Sequence, residues 1–81
     1  MRKANYREIS GPNGHLANLR PFVGNTMSAK INEDGSYSVF SYNTEIACYS
    51  KDDGIYHNEI KYSVTTSKHQ GYCRAWLAYS I

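Results

Sequence analysis

The chain has no run of 18 or more apolar residues, and its opening, MRKANYREISG, has no apolar segment of the kind a secretory leader carries. Neither a membrane-spanning helix nor an export signal is therefore expected. Only two cysteines are present, Cys48 and Cys73; they permit one disulfide, but nothing signals an oxidising compartment, so both are expected to be reduced, small buried hydrophobes. There is no glycine loop to cradle phosphate, no paired-histidine metal motif, no internal repeat and no low-complexity tract. These absences point to a protein of the cytoplasm that calls for no cofactor.

What is present suits a small folded domain. The 81 residues are 41% apolar and 14% aromatic, with eight tyrosines, a composition that buries surface and does not solvate a tail. A chain of this length is one domain, 1–81, with a thin margin of stability. Tyrosine combines a large contact area with a polar tip, so an excess fits a β-rich protein or a binding face. The net charge of +2 conceals a pattern: five basic residues against Glu8 in 1–30, six acids against Lys51 in 31–60, then Lys61, Lys68 and Arg74 with no acid. Basic ends and an acidic middle predict a two-sided surface.

Residues 1–25 hold Gly11, Pro12, Asn13, Gly14, Pro21 and Gly24, so an irregular segment is expected there, with a short strand or helical turn near Tyr6 to Ile9. From Thr26 the pattern becomes alternation, with Met27, Ala29 and Ile31 on one side. Asn32-Glu33-Asp34-Gly35 and Lys51-Asp52-Asp53-Gly54 read as hairpin turns. Ser36 to Tyr49 is β-rich, with Asn43 either a bulge in one strand or a bend between two, and Ile55 to Tyr62 reads as the last strand. The spacing of Tyr72, Cys73, Trp76 and Leu77 predicts a helix over 66–79. Ser67-x-x-Gln70 has the form of a capping box at its start, with Thr65 or Thr66 as alternative caps. Gly71 weakens such a helix, which suggests close approach of its backbone to the sheet. The fold class is α+β: an antiparallel meander of three to four strands over 26–62, packed by one C-terminal helix. Tyr72, Cys73, Trp76 and Leu77 should lie against Met27, Ala29, Val39 and Ile46, with Trp76 a major core residue.

Four residues could in principle complete a tetrahedral metal site: Cys48, His57, His69 and Cys73. Eight residues separate Cys48 from His57, unlike the tight ligand pairs of structural zinc modules, so no metal is expected. Cys73 with His69 could form a nucleophile pair on one helix face, but a thiol beside Trp76 and Leu77 would be buried and inert. The carboxylates Glu33-Asp34 and Asp52-Asp53 sit in turns, where solvated acids are ordinary. No catalytic residue is expected.

The residues expected to meet a partner are Lys61, Lys68, Gln70 and Arg74 around the helix start, and Tyr42 and Tyr56 on the sheet. Free amides and the positive dipole end of the helix would reinforce the lysines, giving an anion-attracting patch with His69 beside it. Lys68 and Gln70 project about 200° apart on a helix, so Lys61, Gln70 and Arg74 form the expected exposed set with Lys68 at its rim. Aromatics on a sheet could stack on bases, which makes a nucleic-acid binder one reading. Exposed Tyr and Arg are also the usual anchors of protein interfaces, which makes a protein binder the other.

The blocks Ser-Tyr-x-Thr-x-Ile-Ala, here Ser41, Tyr42, Thr44, Ile46 and Ala47, and Tyr-Ser-x-Thr-Thr-Ser-x-His-Gln, here Tyr62 to Gln70, resemble those of a family of short, largely uncharacterised proteins from phages and mobile elements. The likeness covers roughly residues 26–77. It implies a β-rich domain closed by a helix, made inside a bacterial host cell. It also implies the protein-binding class, a host or defence protein being the partner and an anti-CRISPR-like inhibitor one form of it. The resemblance implies no activity; the lack of a long apolar run is what argues against a membrane partner, and nothing in the sequence sets an oligomeric state.

Overall fold

Gly35 and Gly54 have φ of 88° and 79°, a left-handed conformation that glycine adopts without a Cβ clash, and each closes a hairpin where the sequence predicts one. In the computed structural model, which describes residues 3–81, these turns lie within a chain ordered α1 (Tyr6–Ile9), β1 (Phe22–Val23), β2 (Met27–Ile31), β3 (Tyr37–Ser41), β4 (Thr44–Ser50), β5 (Gly54–His57) and α2 (Val64–Trp76). The strands form one antiparallel sheet in sequence order, β1 to β5. The fold is therefore α+β with a C-terminal helix, as expected, but with five strands where three to four are predicted. Met1 and Arg2, part of the predicted irregular segment and its basic run, lie outside the described residues.

The extra strand is β1. Two residues are too few to show alternation, and Phe22 and Val23 join the sheet only through pairing with Ala29 and Ser28. The segment around β1 is more ordered than its glycines and prolines suggest. Asn5 caps α1 in a reciprocal box, its Oδ1 accepting the Glu8 N–H at 3.0 Å while Glu8 Oε1 accepts the Asn5 N–H at 3.2 Å. Ile9, Leu16 and Phe22 enter the main core. The C-terminal residues are tied to the same segment, Ala78 N–H donating to Leu16 O and Ser80 N–H to Ala17 O, each at 3.0 Å.

Of the two alternatives for Asn43, the bend between two strands is the one that forms: Tyr42 and Asn43 make a two-residue turn between Ser41 and its partner Thr44. The bulge lies further along, where Val39 pairs with Ala47 but Phe40 with Glu45, leaving Ile46 extra and turned into the core at 1% exposure. The last strand ends at His57, five residues before the predicted Tyr62. Asn58 stops it. Its side chain donates to Glu45 O at 3.1 Å and to the Tyr62 hydroxyl at 3.0 Å, and accepts from Ile60 N–H at 3.0 Å, which folds the chain away from the ladder.

Among the described residues, the helical and N-terminal packing lies on one face of the sheet. Met27, Ala29, Tyr37, Val39, Ile46 and Ala47 supply its floor, and Ile9, Leu16, Cys73 and Leu77 cover it. Cys73 and Leu77 are buried as predicted, whereas Tyr72 and Trp76 flank the core and are only partly buried. Trp76 instead meets Tyr79 edge-on, with ring centres 5.1 Å apart. The helix starts two residues earlier and stops sooner than the predicted 66–79, and this changes which of its residues face inward.

Candidate functional site

Along α2 the buried residues are Thr66, His69, Gln70 and Cys73, followed by the cap residue Leu77, a stripe with helical spacing whose first half is polar. The true N-cap is Ser63, whose side chain accepts the Thr66 N–H at 3.1 Å. Ser67 lies exposed within the helix, so the capping box predicted for Ser67 and Gln70 does not form, and neither Thr65 nor Thr66 is the cap. The reason is that Thr66 is used elsewhere: its hydroxyl meets Ser41 Oγ at 3.0 Å and accepts from Ser63 Oγ at 3.2 Å.

His69 is the centre of this interior polar network and is wholly buried. Its Nδ1 lies 2.7 Å from Ser41 Oγ, and its Nε2 lies 2.9 Å from the Tyr6 hydroxyl and 3.3 Å from Thr26 Oγ1. One imidazole thus joins α1, the entry to β2, the end of β3 and the first turns of α2. A neutral ring, with one nitrogen donating and one accepting, satisfies all of these hydroxyls. Burial, and then the nearby Lys68 charge, hold its pKa below the usual histidine value. Ser41 and His69 stand at the distance of a nucleophile and its base, but both have 0% exposure and no carboxylate partner orients the ring.

Three residues of the helix that the sequence pattern marked for a possible site face the interior. Gln70, expected to be exposed, is buried at 5% exposure, and its amide donates to Asn58 O at 2.6 Å and Ile60 O at 3.1 Å, holding the segment after β5 against the helix. His69 is interior and bonded at both nitrogens. Cys73 packs in the core, where burial pushes its thiol up to about 12, while Cys48 lies on the opposite face of the sheet with its sulfur 3.7 Å from Ser38 Oγ. The two cysteines therefore cannot bind one metal ion, and among the described residues no three His, Cys, Asp or Glu side chains are grouped to hold one. Gly71 is not pressed on the sheet: the nearest atom to a Cβ there would be Arg74 Nη2, at 4.0 Å.

Lys61, Lys68 and Arg74 are exposed, as are Tyr42 and Tyr56, at 56% and 55%. They do not form one site. Lys68 places its ammonium 5.1 Å from the Tyr6 ring centre. Arg74 lies near enough to His57 to lower that imidazole's pKa, after burial and against the opposing effect of Glu59. Tyr56 pairs with Cys48, and both belong to the sheet face that α2 does not cover.

Beyond Tyr42 and Tyr56, the sequence pattern did not mark out the rest of that uncovered face. Its residues follow from the register: Val23, Ser28, Lys30, Phe40, Glu45 and Tyr56 all alternate with core residues. No described helix packs on it. Lys30 reaches to 5.6 Å from the Phe40 ring centre, and Val23, Lys30, Phe40 and Tyr42 help line an open depression of about 340 Å³. Tyr42 stands at the rim of this face with φ 56°, a left-handed conformation that costs a non-glycine residue about 1 kcal/mol or more. The turn backbone is held by the Tyr42 N–H, which donates to Thr26 O at 2.7 Å.

A model of a family of unknown function (DUF8033) matches residues 17–75. The match spans most of the chain, so the protein belongs to that family. It takes in the whole sheet and nearly all of α2 but leaves out α1. No curated protein and no solved structure gives a significant match. No helix among the described residues is long and apolar enough to cross a membrane.

Proposed function

We propose that this chain is a non-enzymatic binding domain of phage origin that acts in the cytoplasm of a bacterial host by occupying a host or defence protein, as an anti-CRISPR-like inhibitor would. The observation that supports this reading is the uncovered sheet face bearing Phe40, Tyr42 and Tyr56. Aromatic side chains lose little conformational freedom on binding and dominate interface energetics. Tyr42 retains a strained backbone at its rim, where asparagine or glycine would sit more easily. The chemistry-bearing side chains point the other way: the Ser41–His69 contact is sealed from solvent, and Cys73 is a buried, protonated thiol.

A nucleic-acid binder is the alternative. It is less favoured because stacking and charge are separated: Phe40 and Tyr56 lie on the open sheet face, with Lys30 balanced by Glu45, whereas Lys68 and Arg74 belong to α2 on the other side. Capture from host lysate with and without nuclease separates the two. Retention of one identified protein after nuclease treatment is expected; release of every partner by nuclease would replace this reading with the alternative.

A further inference from the structure

The two edges of the sheet are treated differently. At one edge β1 is two residues long, follows Pro21 and has its Val23 carbonyl occupied by the Ala4 N–H at 2.7 Å, so the chain's own N-terminal segment blunts it. At the other edge β5 has the sequence Gly-Ile-Tyr-His, with no lysine, proline or bulge, and only β4 pairs with it among the described strands. Ile55 is 45% exposed and Tyr56 55%, and the segment that follows adds Ile60 at 62%, Tyr62 at 48% and Val64 at 89%. An exposed, uncharged edge beside exposed apolar side chains is a template for another strand.

The charges flanking β5 indicate which strand. Before it stand Lys51, Asp52 and Asp53, with an excess of one negative charge; after it stand Glu59 and Lys61, with Arg74 of α2 near His57, an excess of one positive charge. Antiparallel pairing of β5 with the β5 of a second copy sets the acidic start of each strand beside the basic end of the other, twice over, by a single two-fold axis. Parallel pairing would set like against like. We infer that β5 is the pairing edge of a symmetric homodimer in which the sheet continues from one protomer into the other. Both uncovered faces then belong to one sheet, giving a bivalent surface. This inference does not rest on the identity of any other partner.

Sedimentation velocity over a range of protein concentrations, with hydrogen exchange on the same samples, tests it. The weight-average mass should rise from one chain toward two, and the amides of residues 54–57 should gain protection as it does. Ile55→Lys, which places charge on the edge, should hold the protein monomeric. Lys61→Glu alone should weaken association several-fold and Asp52→Lys with Asp53→Lys should do the same, while the three changes together restore it because they invert both ends. These exposed substitutions keep the test valid if Ile55→Lys fails to fold. A protein that stays monomeric at every concentration, or a dimer indifferent to Ile55→Lys and to the charge exchange, overturns the inference.

Discussion

His69 decides how the polar run from Thr65 to Gln70 should be understood. A histidine beside a lysine and a glutamine at a helix start has the composition of an anion site, yet its ring is sealed among Ser41, Thr26 and Tyr6. Its pKa and that of His57 are both lowered on folding, so near the ordinary value of 6.5 the unfolded chain binds more protons than the folded one. The stability they contribute is complete above that value and is lost as pH falls toward the folded pKa values. Denaturant unfolding should show stability declining from pH 7 to pH 5, with a shallower decline in His69→Gln. An equal decline in that variant would remove His69 from the account. The thiols make a second test, since Cys48 is half-buried on the outer face and Cys73 has a thiol pushed up to about 12. A thiol reagent on the native protein should modify Cys48 well before Cys73, as mass spectrometry of the labelled peptides would show. The inert Cys73 was legible from its place beside Leu77, but the sealed His69 was not, because a polar residue carries no mark in the sequence of the partners that permit its burial.

At the scale of elements, what was legible followed from local chemistry. Gly35 and Gly54 marked their turns, alternation marked β2 and β3, and Tyr72 to Leu77 marked a helix. The helix phase differs from the expected one because only the apolar half of the buried stripe shows in the sequence, while Thr66, His69 and Gln70 continue it in polar form. Ser63→Ala should therefore cost about 1 kcal/mol and Ser67→Ala close to nothing, measured by denaturant unfolding. The reverse order would restore the cap that the sequence suggested. Gly71 has open space where a Cβ would stand, so Gly71→Ala should stabilise the protein by about 0.5–1 kcal/mol in the same measurement. Destabilisation instead would mean that the helix backbone lies closer to a neighbour. The boundary of β5 and the existence of β1 depended on Asn58 and Ala29, contacts distant in sequence or too short to leave a period.

At the scale of the whole molecule, one sheet divides two kinds of surface. The inner side joins α2, the N-terminal segment and the histidine network into the core. The outer side carries Phe40, Tyr42 and Tyr56 with no described element above them. Of the six partner-facing residues expected from sequence, five are exposed, but the structure disperses them, and only Tyr42 and Tyr56 belong with the open face. Phe40 joins them through a pairing register that sequence alternation alone could not assign to an uncovered side.

The most direct test of this division compares capture of the nuclease-resistant partner by two variants of the protein. One carries Phe40→Ser with Tyr42→Asn, a pair chosen because asparagine tolerates the turn conformation and both sites lie away from β5. The other carries Lys61→Ala, Lys68→Ala and Arg74→Ala. With both variants shown to be folded by thermal melting, the account predicts that the first loses the partner and the second keeps it. Retention by the first and loss by the second would contradict it and return the function to the helix start.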